Sequence, residues 1–200
     1  MSKLNIIIIF ILFISVLNAD YTNLLSQIAD KYENAATFEA NITQINHFHQ
    51  IDHSLKSEGN IYINNGINVI EFITPSFQFI KLERNTLTIY MSEFNTAIIK
   101  NSLDNNISAI LQFPKLLTND LVFDQKDNEF LIFDYTKNFD GINDIKLYID
   151  EANLLINTIY YYDEMNNLIN INLNNQKFNQ TLSKDINDFV IPEGVVIERL

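Results

Sequence analysis

The feature that most constrains this chain is a succession of short apolar-polar alternations separated by links too brief for a crossover. Phe38, Ala40 and Ile42 alternate with Glu39, Asn41 and Thr43, and Ile61 and Ile63 alternate with Asn60, Tyr62 and Asn64. Further strands are predicted at Val69–Ile73, Phe77–Leu82, Leu87–Met91, Thr96–Lys100, Leu121–Asp124 and Glu129–Asp134. The pattern continues at Asp144–Ile149, Ile156–Tyr162 and Leu168–Leu173, with a last strand near Phe189 to Ile197. Period-two alternation buries one face of a strand. A parallel crossover takes a dozen or more residues, so strands linked this closely pair antiparallel. About ten strands in one meander curl rather than stay flat. Asn65-Gly66 is a hairpin turn signal. A polar segment from His47 to Ser57 is expected to break the strand pattern.

Two stretches change period to that of a helix. Leu24, Leu25, Ile28, Ala29 and Tyr32 follow Thr22, a candidate N-cap. Ile107, Ile110 and Leu111 share a second helical face that ends near Pro114. Each helix must bury its apolar stripe, and the open side of a curled sheet is the surface available. The fold class is therefore mainly β (α+β): one antiparallel curved sheet forming an incomplete barrel, with helices over one face.

The first residues carry a different message. Lys3 precedes an apolar run from Ile6 to Phe13, continuing through Ile14, Val16 and Leu17 to Asn18-Ala19-Asp20. This is the layout of a secretory signal peptide, with cleavage expected after Ala19. The run is short for a membrane span of about 20 residues. Leu17 is larger than the residue usually found three places before a cut, which leaves an uncleaved anchor as the alternative. Residues 20–200 then form one exported domain. The chain has no cysteine, which excludes disulfides, thiolate metal sites, cysteine nucleophiles and a lipid-modified N-terminal cysteine. A net charge of −12 argues against nucleic acid and anionic surfaces as partners.

Catalytic and metal motifs fail on inspection. His47, His49 and His53 are all the histidines, and with Asp52 they offer metal-ligand chemistry in a segment that reads as an exposed hairpin tip. Thr136 to Leu147 places Asn138, Asp140 and Gly141 like a calcium loop, but Thr136 and Leu147 stand where the end acids are required. No nucleophile elbow, zinc-protease, phosphate-loop or dinucleotide motif is present. An enzyme is not expected, nor a cofactor or metal.

The order of segments resembles the LolA-like family of periplasmic outer-membrane lipoprotein carriers. The resemblance rests on Ala36-Thr37-Phe38-Glu39-Ala40-Asn41-Ile42-Thr43-Gln44, Gly59-Asn60-Ile61-Tyr62-Ile63 and Phe72-Ile73-Thr74-Pro75. It continues in Asn85-Thr86-Leu87-Thr88-Ile89-Tyr90, the Ile110-Leu111 region, and Phe189-Val190-Ile191-Pro192-Glu193-Gly194-Val195-Val196-Ile197. It implies a helical lid over an apolar cavity that holds acyl chains. The implied partners are acylated lipoproteins as cargo, an inner-membrane ABC-type release complex as donor and, where present, an outer-membrane acceptor. The carrier would act as a monomer. Candidate wall residues are Phe38, Ile42, Ile61, Ile63, Ile70, Phe72, Leu87 and Ile89. Candidate lid residues are Leu24, Leu25, Ile28, Asn65, Ile107, Ile110 and Leu111. Periodicity alone does not separate a ligand cavity from an ordinary packed core. One departure stands out: Asn65-Gly66 replaces a basic residue and a proline of the family pattern, so a charged latch on the lid is missing there. The alternatives are a carrier or sensor of another apolar ligand, such as a glycolipid or free lipid, and a periplasmic hydrolase.

Overall fold

The computed structural model describes residues 21–101, 117, 120–135 and 142–200. The signal-like segment 1–19, Ile107, Ile110, Leu111 and residues 136–141 lie outside them. One helix, α1, covers residues 21–33. Twelve strands follow: β1 (Thr37–Phe48), β2 (His53–Asn64), β3 (Ile67–Thr74), β4 (Gln78–Glu83), β5 (Thr86–Met91) and β6 (Thr96–Lys100), then β7 (Leu121–Asp127), β8 (Phe130–Tyr135), β9 (Ile142–Asp150), β10 (Leu155–Asp163), β11 (Leu168–Phe178) and β12 (Val196–Arg199).

All twelve belong to one sheet in the order β12-β6-β5-β4-β3-β2-β1-β11-β10-β9-β8-β7. Two antiparallel meanders, β2 to β6 and β7 to β11, therefore meet on either side of β1. The sheet is curved and open, with β7 and β12 at its edges. The expected mainly β, incomplete-barrel architecture is what is found. The pairing has one exception: β12 lies parallel to β6. The chain reaches that position by crossing the outer face of the sheet after β11, a route long enough for a parallel connection.

Register explains the inner face. Ala40 pairs with Ile61, Ile61 with Ile70, Ile70 with Ile80, Ile80 with Ile89, and Ile89 with Ile98. This places one row of mostly isoleucine across six strands, the β-branched composition that suits a pleated surface. The other meander contributes Leu131 and Phe133, Ile145, Leu147 and Ile149, Ile156 and Ile159, and Ile171 and Leu173, all in the same core.

A second core lies on the opposite face. Tyr62, Val69, Phe79, Tyr90 and Ala97 are buried there beneath Leu182, Ile186, Phe189, Ile191 and Val195. Phe189 stacks on Phe79 with ring centroids 3.8 Å apart. The expected strand from Phe189 is thereby corrected: only Val196–Arg199 pairs, because Phe189 and Ile191 hold the chain across the sheet and Pro192 cannot donate to a ladder. Two more corrections concern the N-terminal half. Tyr21 is already helical, so Thr22 lies within α1 and does not cap it. The polar segment after His47 is mostly strand, since β1 and β2 pair as far as Phe48 and His53. Polar residues suffice there because the hairpin has two solvated faces.

Turns are built largely from asparagine. Six of the ten non-glycine residues with positive φ are Asn, among them Asn65 at 48°. Asn tolerates the left-handed region better than other side chains. Asn65 and Gly66 (φ 82°) form the predicted β2–β3 turn.

Gly59 sits where the β2–β3 register shifts beside Glu58. A Cβ there would lie 1.9 Å from the Glu71 carbonyl oxygen. Gly59→Ala is expected to destabilise the fold by about 1–3 kcal/mol or more in urea unfolding, because backbone must shift to admit the methyl. A change below ~0.5 kcal/mol would contradict the close approach of β2 and β3 at this point.

Candidate functional site

The inner face and α1 form the candidate site. Leu25, Ile28 and Tyr32 are buried against the sheet, with Tyr21, Leu24 and Ala29 partly buried beside them. Their spacing places them on one helical face. Aromatic contacts fix the helix at both ends. Near its start Tyr21 stacks on Phe123 at 4.3 Å and meets Phe133 edge-on at 5.8 Å. Near its end Tyr32 lies 5.0 Å from Phe178 and 5.6 Å from Phe38. The helix therefore spans from β7 and β8 to β1 and β11.

Tyr32 also closes a small, partly buried polar ring. Its hydroxyl accepts from the Ile156 backbone N–H at 2.9 Å and donates to Gln176 Oε1 at 2.5 Å. Gln176 Nε2 returns a hydrogen bond to the Ile156 carbonyl at 2.7 Å. The pairing of β10 with β11 begins only at Thr158 and Asn172, and Tyr32 and Gln176 bond both Ile156 backbone groups ahead of that ladder. Burial pushes the Tyr32 hydroxyl far above the ordinary phenol range, and the Ile156 N–H offsets only part of that. The group stays a neutral donor and acceptor.

All eight predicted wall residues fall on the inner face. Phe38, Ile42, Ile61, Ile70 and Phe72 are buried in its core, and Ile63 and Leu87 pack against it. Ile89 is half-buried and shares the face through its pairs with Ile80 and Ile98. The sequence reading missed the other half of the wall, from β8 to β11, although the same alternation runs through Leu147, Ile149, Ile159 and Ile171. It also missed Tyr32 and Gln176 as a polar pair. The only signal was a tyrosine on an otherwise apolar helical stripe. Glu71 and Asn167, the buried polar residues among those described, are not members of this core.

The predicted lid residues separate. Leu25 and Ile28 face the core, the latter fully buried, and Leu24 lies beside them. Asn65 is exposed in its turn, and its backbone N–H donates to the Ala36 carbonyl at 3.3 Å, on the segment that joins α1 to β1. The wall is packed under α1: Ile28, Ile61 and Ile70 have no exposed surface. A pocket of about 670 Å³ lies beside the helix, between Leu25, Ser26, Ala29, Asp30 and Glu33 on one side and Leu117 and Leu121 on the other. A smaller one, about 380 Å³, opens on the outer face between Phe79 and the Phe189–Ile191 segment.

Polar contacts on the outer face hold the crossing segment down. Lys184 Nζ is 2.6 Å from Glu71 Oε1, and Ser183 N–H donates to Glu39 Oε2 at 2.7 Å. Burial raises the Glu39 carboxyl, but Ser183 and Lys177 outweigh it and leave it below the usual carboxylate value. His47 and His49 come together edge to face at 4.6 Å, and His47 Nδ1 lies 3.0 Å from Ser54 Oγ. Among the described residues no group of three or more His, Cys, Asp or Glu side chains is placed to hold a metal ion.

Comparison with known proteins adds a family. Residues 33–190 match the profile of the family described as outer membrane lipoprotein carrier protein LolA. No curated protein sequence matches. Among solved structures, an uncharacterized conserved protein from Thermus thermophilus superposes with a TM-score of 0.53 at 14% identity, over 88% of this chain and 98% of that one. A LolA superfamily protein from Nitrosomonas europaea gives 0.43 at 11% identity over 80% and 94% of the two chains. A MucA/MucB complex from Pseudomonas aeruginosa gives 0.47 at 11% over 83% and 59%. The first superposition speaks to a shared fold, and the other two are too distant to carry weight.

Tyr32→Phe removes the partner of the buried Ile156 N–H and of a half-buried Gln176 oxygen. The expected cost is about 1–3 kcal/mol by urea unfolding. Stability within ~0.5 kcal/mol of the parent would show that the ring is not a structural tie.

Proposed function

The chain belongs to the LolA family of outer membrane lipoprotein carrier proteins, and from that premise we propose that it carries the acyl chains of lipoproteins through the periplasm against the inner face of its sheet. Members of this family are carriers rather than enzymes. The observation that carries the reading is the composition of the inner face: an apolar wall assembled from both meanders and covered by one amphipathic helix. Such a wall accepts hydrocarbon of any detailed structure, because it demands no directed hydrogen bond.

The physical task is solvation. Burial is worth about 0.8 kcal/mol per CH₂, so three chains of about 16 carbons resist leaving a membrane by roughly 35–40 kcal/mol. The carrier must replace most of that with its own surface. Leu24, Leu25 and Ile28 already occupy the wall or lie beside it, so acyl chains must displace them to bind. Helix closure and cargo then compete, which makes α1 a lid; Ile107, Ile110 and Leu111 are proposed to extend it. The empty lid keeps apolar surface from water, where it would be adhesive. In this scheme Asn65 supplies a turn conformation in place of a charged latch, so closure rests on packing and the Tyr32 ring. The donor is an inner-membrane ABC-type release complex, and delivery is to the outer membrane.

Native mass spectrometry of protein purified from its own periplasm tests this. Bound triacylated lipoprotein is the expected result. Bound glycolipid or free lipid would point instead to a carrier of another apolar ligand on the same fold. Recovery of ligand-free protein only, under conditions that preserve lipid complexes, would contradict a carrier role.

A further inference from the structure

The two ends of α1 are held by different kinds of contact. At the Tyr32 end the contacts are directed. Tyr32 bonds Ile156 and Gln176, and beside it Lys31 Nζ donates to the Asn153 carbonyl at 2.8 Å. The same ammonium lies 4.8 Å over the Phe178 ring. The joint from α1 to β1 is pinned as well. Ala36 N–H donates to Asn179 Oδ1 at 2.8 Å, and its carbonyl receives the Asn65 N–H. One residue further, Thr37 Oγ1 donates to the Gln180 carbonyl at 2.6 Å. The Tyr21 end meets the sheet through rings, on Phe123 of the edge strand β7 and on Phe133 of β8.

Hydrocarbon treats these two sets unequally. It can take the place of a stacked ring, because it offers apolar contact of the same undirected kind. It has no donor or acceptor, so displacing Tyr32 would break the bonds to Ile156 and Gln176 and return nothing for them. Geometry adds to the asymmetry. A rise of 1.5 Å per residue puts Tyr21 about 16 Å from Tyr32 along the helix, and Ile28 about 6 Å. Rotation about the Tyr32 end therefore moves Tyr21 roughly three times as far as Ile28, with Leu24 and Leu25 between. The pocket of about 670 Å³ flanks this moving length, bounded by Leu25, Leu117 and Leu121.

We propose that α1 is a one-ended lid: it hinges at Tyr32–Ala36, its Tyr21 end swings off β7 and β8, and acyl chains enter between the helix and Leu121. This rests on the carrier function above and specifies its mouth. The Tyr32 ring stays made in the loaded protein. It is the pivot, and the Tyr21–Phe123 stack is the contact that opens.

Spin-label distances on the full chain test the polarity. Asn23→Cys and Glu33→Cys, both exposed on α1, are each paired with Asn174→Cys, exposed on β11. Distances are measured with and without a fluorescent tripalmitoylated lipopeptide whose binding is read independently. Loading should lengthen the Asn23–Asn174 distance by about 5 Å or more and leave Glu33–Asn174 within about 2 Å. A second arm bridges Lys31→Cys to Asn153→Cys with a short bismaleimide, which locks the joint end and should leave uptake unchanged. Lengthening of both distances, or loss of uptake under this bridge, would show that the helix leaves as a unit and overturn the hinge. A change at Glu33 alone would put the hinge at the opposite end. Bound lipopeptide with both distances unchanged would overturn the hinge and the displacement of α1 together. No binding of lipopeptide to any form would overturn the carrier function, and the proposal with it.

Discussion

The structure depends on how an open sheet covers its apolar inner face. A closed barrel fills its interior with its own side chains, but this sheet ends at β7 and β12 and leaves its inner wall in need of a cover. The described cover is α1, whose Ile28 is fully buried and whose Tyr21 and Tyr32 reach opposite meanders. Hydrophobic burial there is strong and undirected. Direction comes from the few polar contacts around it, chiefly the ring of Tyr32, Gln176 and Ile156. In the proposed carrier function, a cover held mainly by undirected contacts is what acyl chains displace.

The outer face shows the opposite balance. There the segment after β11 is tied by Glu71–Lys184, by Ser183 on Glu39, and by Asn179, whose backbone N–H donates to the Thr37 carbonyl at 2.9 Å. Phe189 adds stacking on Phe79. Directed and undirected contacts act together, so this crossing braces β1 to β6 on the outer face. The two faces of one meander thus do different work: one is fixed by ion pairs and aromatic stacking, the other is smooth and apolar.

Much of this was legible in the residue order. Alternation located nearly every strand, and Asn65-Gly66 marked its turn. The wall residues from Phe38 to Ile89 fell on one face because period two leaves no other choice once register is set. Elements governed by tertiary contact were not legible. Phe189, Ile191, Val195 and Ile197 alternate like a strand, yet the first three pack against the outer core and only the last belongs to β12. The His47–Ser57 stretch looked like a loop because it lacks apolar alternation, although cross-strand backbone pairing carries most of it as strand. Asparagine abundance had no structural meaning as composition; it acquires one at the left-handed turns, where a chain with 4 glycines uses Asn instead. The partner of Tyr32 lies 144 residues away, a distance no local pattern spans.

The central claim is that α1 must leave the wall for acyl chains to enter. The chain has no cysteine, so Tyr21→Cys and Phe123→Cys can be bridged selectively across the contact at 4.3 Å with a short, cleavable bismaleimide. Uptake of a fluorescent triacylated lipopeptide is then measured before and after the bridge is cut. Loading should be abolished while the bridge holds and should return when it is cleaved. Equal loading in both states would contradict the account, since acyl chains would then bind without displacing the helix.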